Sequence, residues 1–393
     1  MSGELLVLNS GSSSIKFALY TAAREPARLL HGIISGIGAS PGFSAEDSDG
    51  RPLPAGLPAA AGSPLTHDTA LARLFDWLAR QKTGGQLRGA GHRVVHGGER
   101  HTVPCRIDAG VLAGLEQLVP LAPLHQPHNL AAIHALKRLQ PELPQVACFD
   151  TAFHRSQAAV ARNYALPREL TAAGVRRYGF HGLSYEFIAG ALPAHLGERA
   201  GGRVIVAHLG AGASLCAMRA RQCVTTTMGF TALEGLVMGT RSGTIDPGVL
   251  FYLMREKSMT PAQVEDLLYR RSGLLGVSGL SSDMRVLLET GSPHAREAIE
   301  LFCYRAAREI GSLAAALEGL DALIFTAGIG ERAALVRARI CELSRWLGVE
   351  LDATANGEHR AIISVPGSKV TVCVIPTDEE IVIARHTFNL LKA

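Results

Sequence analysis

The stretch LLVLNSGSSSIKFALY, residues 5–20, sets the reading of the whole chain. An apolar run, a tight polar turn and a second apolar run predict two strands joined as a hairpin. The turn carries Gly11 and the consecutive serines Ser12, Ser13 and Ser14, with Asn9 before it and Lys16 after it. Small residues let backbone N–H groups converge, hydroxyls add donors and a lysine adds a fixed positive charge, which together suit a phosphate tail. The pattern G-x-x-x-x-G-K-[ST] is absent, and a strand rather than a helix follows the turn. Taken alone, an ordinary hairpin with solvent-facing serines accounts for the stretch better; its partners elsewhere in the chain reverse that balance.

The same layout returns in RVIVAHLGAGASLCAMR at residues 203–219. Matching Gly11 to Gly210 sets Asn9 opposite His208 and the serines opposite Ala211, Gly212 and Ala213. Two such hairpins, each opening a domain-sized segment, predict an internal duplication with a cleft between the halves. A third strand-to-glycine junction lies at residues 322–331, ALIFTAGIGE. It predicts a buried strand, a glycine turn at Gly328, Ile329 and Gly330, then a helix through residue 346; open backbone at a helix start suits anionic or nucleotide groups.

Between these landmarks, GHRVVHGGE at 91–99 predicts a buried strand ending in a glycine turn, with Arg93, His96 and Glu99 on or beside it. QVACFD at 145–150 is an apolar strand ending in Asp150, and ligands of open α/β sheets bind just past strand C-termini. RYGFHGLSY at 177–185 holds Phe180 and His181 between glycines, with a helix expected from Tyr185. Residues 228–248 form a glycine-punctuated loop containing Glu234, Arg241 and Asp246. Helical spacing is expected over 67–82, 109–120, up to 139, 260–269, 282–289 with Ser281 or Ser282 as N-cap, and 292–317. Residues 39–66 predict exposed loops with at most short strands. The last segment, TDEEIVIARHTFNLL, predicts a helix able to return to the first domain, and Thr377 with Glu380 has capping-box spacing.

Composition narrows the classes. The 393 residues suffice for two or three domains, charged residues make up 19 %, and 39 Lys and Arg face 35 Asp and Glu without a block of like charge. Nucleic-acid binding gains no support. No apolar run approaches a membrane span and no leader precedes the first strand, so no membrane partner and a cytoplasmic location are expected. Cys105, Cys148, Cys216, Cys223, Cys303, Cys341 and Cys373 are scattered without a C-x-x-C pair, which reads as buried reduced thiols with no Cys/His metal cluster.

Taken together, NSGSSSIK, GHRVVHGGE, LAPLH, FDTAFH, RYGFHG, HLGAGAS, MGTRSG, SSDMR, FTAGIGE and PTDEE, in that order, resemble the acetate kinase family of the sugar-kinase, heat-shock-ATPase and actin superfamily. The resemblance covers nearly the whole chain. It implies an α/β fold of two duplicated actin-like domains, each with a βββαβαβα core, and an active site in the interdomain cleft. The domains expected are 1–150 plus the C-terminal helix 381–393, and 151–380 for nucleotide. It further implies ATP and Mg²⁺ (Mn²⁺ substituting), a homodimer, and reversible transfer of the ATP γ-phosphoryl group to acetate or another short-chain carboxylate, giving an acyl phosphate and ADP.

Residue by residue, the resemblance implies that Arg93 anchors the carboxylate while Arg241 and His181 stabilise the transferring group. Asp150 matches the family's catalytic acid or base. A carboxylic acid of pKa roughly 4–5 is already ionised at pH 7, so Asp150 is expected to orient Arg93 and the metal's waters instead of abstracting a proton. Val95, Leu124 and Phe180 match the acyl pocket. Ser12, Ser14, Lys16, His208, Leu209, Gly210, Ala211 and Gly212 match phosphate contacts, and Asp283, Met284, Arg285, Gly328, Ile329, Gly330 and Glu331 the nucleoside side. Asn9 and Glu379 match the metal site, Glu379 being preferred because the capping box occupies Glu380. Departures from the family pattern are Ala211 for an Asn, Ala232 for a Pro in the acyl pocket, and Thr244 and Tyr185 for a common Asp and His. A propionate or butyrate kinase and a non-catalytic ATP-binding protein are the alternatives.

Overall fold

The computed structural model describes residues 3–11, 13–38, 41–54, 65–81, 83 and 85–392. Ser12 lies outside them. The chain divides into two compact units, residues 1–152 with 378–393, and residues 153–377. Thr151, Ala152 and residues 378–380 thus fall in the first unit, where the sequence reading had put them in the second.

The first unit is built on strands β1 (Glu4–Ser10), β2 (Ser14–Thr21), β3 (Arg28–Ser35), β4 (Gly42–Asp47), β5 (Leu87–Val94), β6 (Cys105–Arg106) and β7 (Gln145–Phe149). Their order in the sheet is β4-β3-β2-β1-β5-β7-β6. The β1–β4 meander is antiparallel and β1, β5 and β7 are parallel. The strand at 42–47 organises part of the segment expected to be mostly loop; its acidic tip is a turn in which Asp47 Oδ1 accepts the N–H groups of Asp49 and Arg51. One face packs against the helix His67–Leu78, where Trp77 meets Phe17 and Phe43 edge-on and those two rings stack on each other, with centroids 5.1–5.9 Å apart.

The C-terminal helix, Glu379–Lys392, lies across the other face on β1, β5 and β7. Gly89 and Gly91 make that approach possible: a Cβ at Gly89 would meet Leu391, and one at Gly91 would meet Thr387 and Ile383. A β-branched strand residue at either place would push the helix off.

The second unit carries β8 (Val204–Leu209), β9 (Ala213–Arg219), β10 (Gln222–Thr226), β11 (Ala322–Thr326) and β12 (Thr371–Val374), ordered β10-β9-β8-β11-β12. Its antiparallel β8–β10 meander continued by parallel β11 and β12 repeats the β1–β3, β5, β7 pattern of the first unit. The duplication is therefore present in the topology. The hairpins are not equal in length, however. Ser10 pairs with Ile15 in the first, whereas Leu209 pairs with Ala213 in the second. By position in the pairing, Ala213 therefore answers to Ile15 and not to Ser14. Packed on this sheet are the helix Gly182–Leu196, through Ile188 and Leu192, and the long helix Pro293–Leu317.

Several local expectations change. No separate turn holds Gly328, Ile329 and Gly330: the helix Ala327–Arg332 begins directly after β11, with Ala327 in the left-handed region at φ 63°. It stops at Ala333, and Ala334–Leu343 is a second helix. The helix expected from Tyr185 starts at Gly182. Among the described residues, no helix is long and apolar enough to cross a membrane.

Candidate active site

In the first unit, parallel strands β5 and β7 bring their C-terminal ends together, and this sets Arg93 beside Asp150. Arg93 donates from Nε to Asp150 Oδ1 at 2.9 Å and from Nη2 to Oδ2 at 2.6 Å. Asp150 is buried, and Glu379, at the start of the C-terminal helix, approaches Arg93 Nε at 3.9 Å. Burial alone would favour losing the guanidinium charge, but Asp150 and Glu379 outweigh it and push the Arg93 pKa up. Arg93 is thus a fixed cation that keeps 21 % of its side chain exposed. Charge-assisted pairs of this kind hold geometry as well as charge.

Around this pair the backbone is pinned by buried amides. Asn129 accepts from Val95 N–H at 3.0 Å and donates to the Ser10 carbonyl at 2.7 Å. Gln126 binds His96 in both directions, accepting its N–H at 3.2 Å and donating to its carbonyl at 3.1 Å. Asn129 therefore ties the strand bearing Arg93 to the end of the strand bearing Asn9. Val95 is buried and Leu124 half-buried. Asn9 is half-buried opposite Lys16, whose side chain is exposed. In the turn itself, Gly11 N–H donates to the Ser14 carbonyl at 2.8 Å, and the His67 ring bonds the Gly11 carbonyl at 2.8 Å.

The cap of the C-terminal helix differs from the expected box. Asp378 Oδ1 accepts the Ile381 N–H at 3.0 Å, whereas Thr377 takes a hydrogen bond from Ser184 and gives its N–H to Glu331 Oε1. Glu380 has no capping role; burial first, then Asp378, pushes its pKa up, against Arg28 and Lys16. Glu379 remains the acid nearer Arg93, for a reason other than the one the spacing suggested.

In the second unit, His181 stands at the N-cap of Gly182–Leu196 in the left-handed region, φ 59° and ψ 24°. A non-glycine residue there stores of order 1–3 kcal/mol and is held by its surroundings. Those surroundings are a ring stack on His208, with centroids 4.1 Å apart at 20°, and a 2.8 Å hydrogen bond from Nδ1 to Ser214 Oγ. Ser214 also bonds Tyr185 OH at 2.5 Å, so the tyrosine that departs from the family histidine supports the His181 partner. His208 Nδ1 bonds Ser184 Oγ at 2.8 Å, and Ser184 donates to Thr377 at 2.9 Å. Phe180 is buried.

Arg241 Nη1 donates to the Ala232 carbonyl at 2.9 Å, a contact that proline or alanine would equally supply. Its loop is braced by Arg177, which donates to the carbonyls of Thr226, Thr227 and Met228 and to Glu234 Oε1 at 2.7 Å. His181 and Arg241 converge on the glycine turn after β8. A Cβ on Gly212 would stand 3.2 Å from His181 Nε2 and 3.8 Å from Arg241 Nη1. In that turn Gly210 N–H bonds the Gly212 carbonyl at 3.0 Å, Ala211 is exposed, and Leu209 is buried and offers only backbone.

Among the residues expected to face the nucleoside, the expected serine cap gives way to Asp283, which accepts the Arg285 N–H at 2.9 Å. Arg285 Nη2 donates to Asp283 at 2.6 Å, and this exposed pair is self-contained. Met284 is buried; Gly328 is exposed, and Ile329 and Glu331 are half-buried. Ser184 and Ser214 were missed by the sequence reading. Their signal was a small hydroxyl inside an otherwise apolar run. No Cys/His metal spacing is visible along the sequence, yet the fold brings His154, Cys216 and Cys223 together with their donor atoms within 4.8 Å of one another.

Residues 4–385 match the model of the acetokinase family. The chain is 56 % identical over 401 residues to a protein of Rhodopseudomonas palustris named acetate kinase, covering 99 % of both chains. Among solved structures it is similar to a propionate kinase of Francisella tularensis, with a TM-score of 0.92 and 36 % identity over 99 % of this chain and 100 % of that one. The acetate kinase of Porphyromonas gingivalis matches with a TM-score of 0.87 and 36 % identity over 99 % and 100 %.

Proposed function

The chain belongs to the acetokinase family, and from that premise we propose that it transfers the γ-phosphoryl group of ATP to acetate, reversibly, giving acetyl phosphate and ADP. The observation that carries this reading is the buried Arg93–Asp150 pair at the strand ends, a carboxylate-reading fork with its orientation fixed.

Acetate needs no base, since its pKa of roughly 4–5 leaves it ionised at pH 7. Its oxygen attacks the γ-phosphorus in line as the bond to the β,γ-bridging oxygen breaks and ADP leaves with that electron pair. The obstacle is the meeting of anions, so catalysis lies in positioned cations and donors. Asp150 occupies the Nε and Nη2 edge of Arg93, and the adjoining Nη1 and Nη2 donors hold the acetate carboxylate. Val95, Leu124 and Phe180 receive the methyl group. Asp150, in the first unit, acts as a positioning residue, and His181 and Arg241, in the second, stabilise the transferring phosphoryl group. Ser12, Ser14, Lys16, His208, Gly210, Ala211 and Gly212 contact phosphates; Asp283, Arg285, Gly328, Gly330 and Glu331 contact the nucleoside.

Asn9 and Glu379 would hold Mg²⁺ or Mn²⁺. An amide oxygen and a carboxylate are hard donors, suited to an ion that keeps most of its waters. The ion, when bound, neutralises charge on the β- and γ-phosphate oxygens. We further propose a cytoplasmic homodimer. The helix Pro247–Glu256 buries none of its residues in the chain, and Val249, Phe251 and Tyr252 are 37–52 % exposed along it; a second copy would cover that apolar face.

Trapping with hydroxylamine after incubation with ATP, Mg²⁺ and a panel of short carboxylates tests the reading. Acetohydroxamate is expected, and its absence with every acid would reduce the protein to a nucleotide binder. Ala232 favours propionate as a second substrate, since one methylene in an apolar pocket is worth about 1–3 kcal/mol. The kcat/KM values for propionate and acetate are expected to be comparable, and a strong acetate preference would contradict the enlarged pocket.

A further inference from the structure

The triad His154, Cys216 and Cys223 belongs to none of the machinery above. Cys216 lies on β9 and Cys223 on neighbouring β10, beside the irregularity in their pairing between Cys223 and Thr225. His154 comes from the short 3-10 turn Ala152–Ser156, and all three are buried. We propose that His154 Nδ1, Cys216 Sγ and Cys223 Sγ form a site for one soft, thiophilic cation, Cu⁺ in preference to Zn²⁺.

The histidine is already oriented for this. Its Nε2 lies 2.8 Å from the Phe180 carbonyl, which can only accept, so Nε2 is the protonated nitrogen. Nδ1 then faces Cys223 Sγ at 3.2 Å. Metal-binding histidines are commonly fixed by such a carbonyl behind the ring. The ring cannot swing away: Gly179, at φ 81°, packs against it so closely that a Cβ there would stand 2.6 Å from its Cδ2. Edge contacts with Phe153 and Tyr185, at 5.9 and 5.6 Å between centroids, complete the wall.

The donor spacing suits a metal. Bonds of about 2.0–2.3 Å to nitrogen and sulfur place three coplanar donors roughly 3.8 Å apart, and the present donors span no more than 4.8 Å. A thiol that binds the ion releases its proton to solvent. Two soft sulfurs and an imidazole select Cu⁺ or Zn²⁺ over hard ions. Zinc wants a fourth ligand. The nearby Ser156 hydroxyl is already engaged with the Cys223 carbonyl at 2.7 Å, and no fourth His, Cys, Asp or Glu joins the cluster among the described residues. Three-coordinate Cu⁺ fits what is there.

The test uses the full-length chain, reduced with a phosphine and kept anaerobic, competing for Cu⁺ held as its bicinchoninate complex. One Cu⁺ per chain should leave the chelator, X-ray absorption should report two sulfur neighbours and one nitrogen, and thermal melting should rise in the loaded protein. Cys223→Ser and Cys216→Ala should each weaken the competition about 10–100-fold. Cys303→Ala, at a buried thiol on another element, should not. The wild-type titration needs no variant to fold. No transfer from the chelator, transfer undiminished in both variants, or sulfur-free coordination would each overturn the proposal. So would a Cys216–Cys223 disulfide that persists in the reduced protein.

Discussion

Arg93, to which the acetate carboxylate is assigned in the proposed reaction, has both its charge and its direction fixed by Asp150 and Glu379. Lysine would keep the charge but lose the fork. Arg93→Lys should lower kcat/KM for the carboxylate about 10–100-fold, the equivalent of about 1.5–3 kcal/mol for a charge-assisted hydrogen bond. Steady-state kinetics with acetate varied at saturating ATP would show it, and unchanged values would remove Arg93 from the acyl site. Asp150→Asn should cost at least about tenfold without shifting the pH profile of kcat, because no proton is taken from acetate; full retention of turnover would remove its positioning role. Gly212 is the third such residue. A methyl group there would press on the His181 imidazole at 3.2 Å, so if His181 acts as proposed, Gly212→Ala should reduce kcat with little change in melting temperature. Asp150 stood out in the sequence because a charged residue just past a buried parallel strand has few structural uses, whereas Arg93, inside its strand, was picked out by the family resemblance. Ser214 and Ser184 were not, because a hydroxyl in an apolar run says that it needs a partner without saying which one.

At the scale of elements, periodicity located several helices, passed over Pro247–Glu256, and misjudged how two of them begin. Two starts went to aspartates, Asp283 and Asp378, where spacing pointed to serine or to a threonine–glutamate box. A carboxylate bonded to the first-turn N–H groups also meets the positive end of the helix dipole, which a hydroxyl does less well. Glu380 is left half-buried beside Asp378, with its pKa raised by desolvation first and then by Asp378. A carboxyl raised above its unfolded value favours folding most below about pH 4.3, and that contribution is lost as pH rises through the folded pKa. Glu380→Gln should therefore melt higher than the parent at pH 7–8 and converge with it below about pH 4. A lower melting temperature at neutral pH would mean that Arg28 and Lys16 more than offset the burial. The glycine turn expected at Gly328 was misjudged for a related reason. Glycine there lies inside a helix, and sequence alone cannot separate a glycine that bends the chain from one that merely leaves a surface open.

For the molecule as a whole, the duplicated topology was readable from two hairpins of like pattern, while the unequal turn lengths needed coordinates. Its stability should depend on acid through His92 and His96, both buried around the site and both with pKa lowered by burial to about 4. A histidine held neutral in the fold contributes fully above its unfolded value of about 6.5, and the contribution is lost as pH falls toward 4. Each should cost about 1.4 kcal/mol per pH unit over that window. Urea midpoints recorded from pH 7 to 4 should fall accordingly, and a flat profile would contradict it.

The first unit is written in two pieces, with residues 153–377 between them. On the ribosome, order of synthesis and order of completion must then run opposite ways. The later unit is contiguous and can mature as soon as it emerges. The earlier one waits, its sheet bare on the face that Glu379–Lys392 will cover and its Arg93 without one of its two acidic neighbours, until those residues have been made. A nascent chain stalled before residue 379 should thus carry a finished half and a sticky one, which is the species a chaperone would hold.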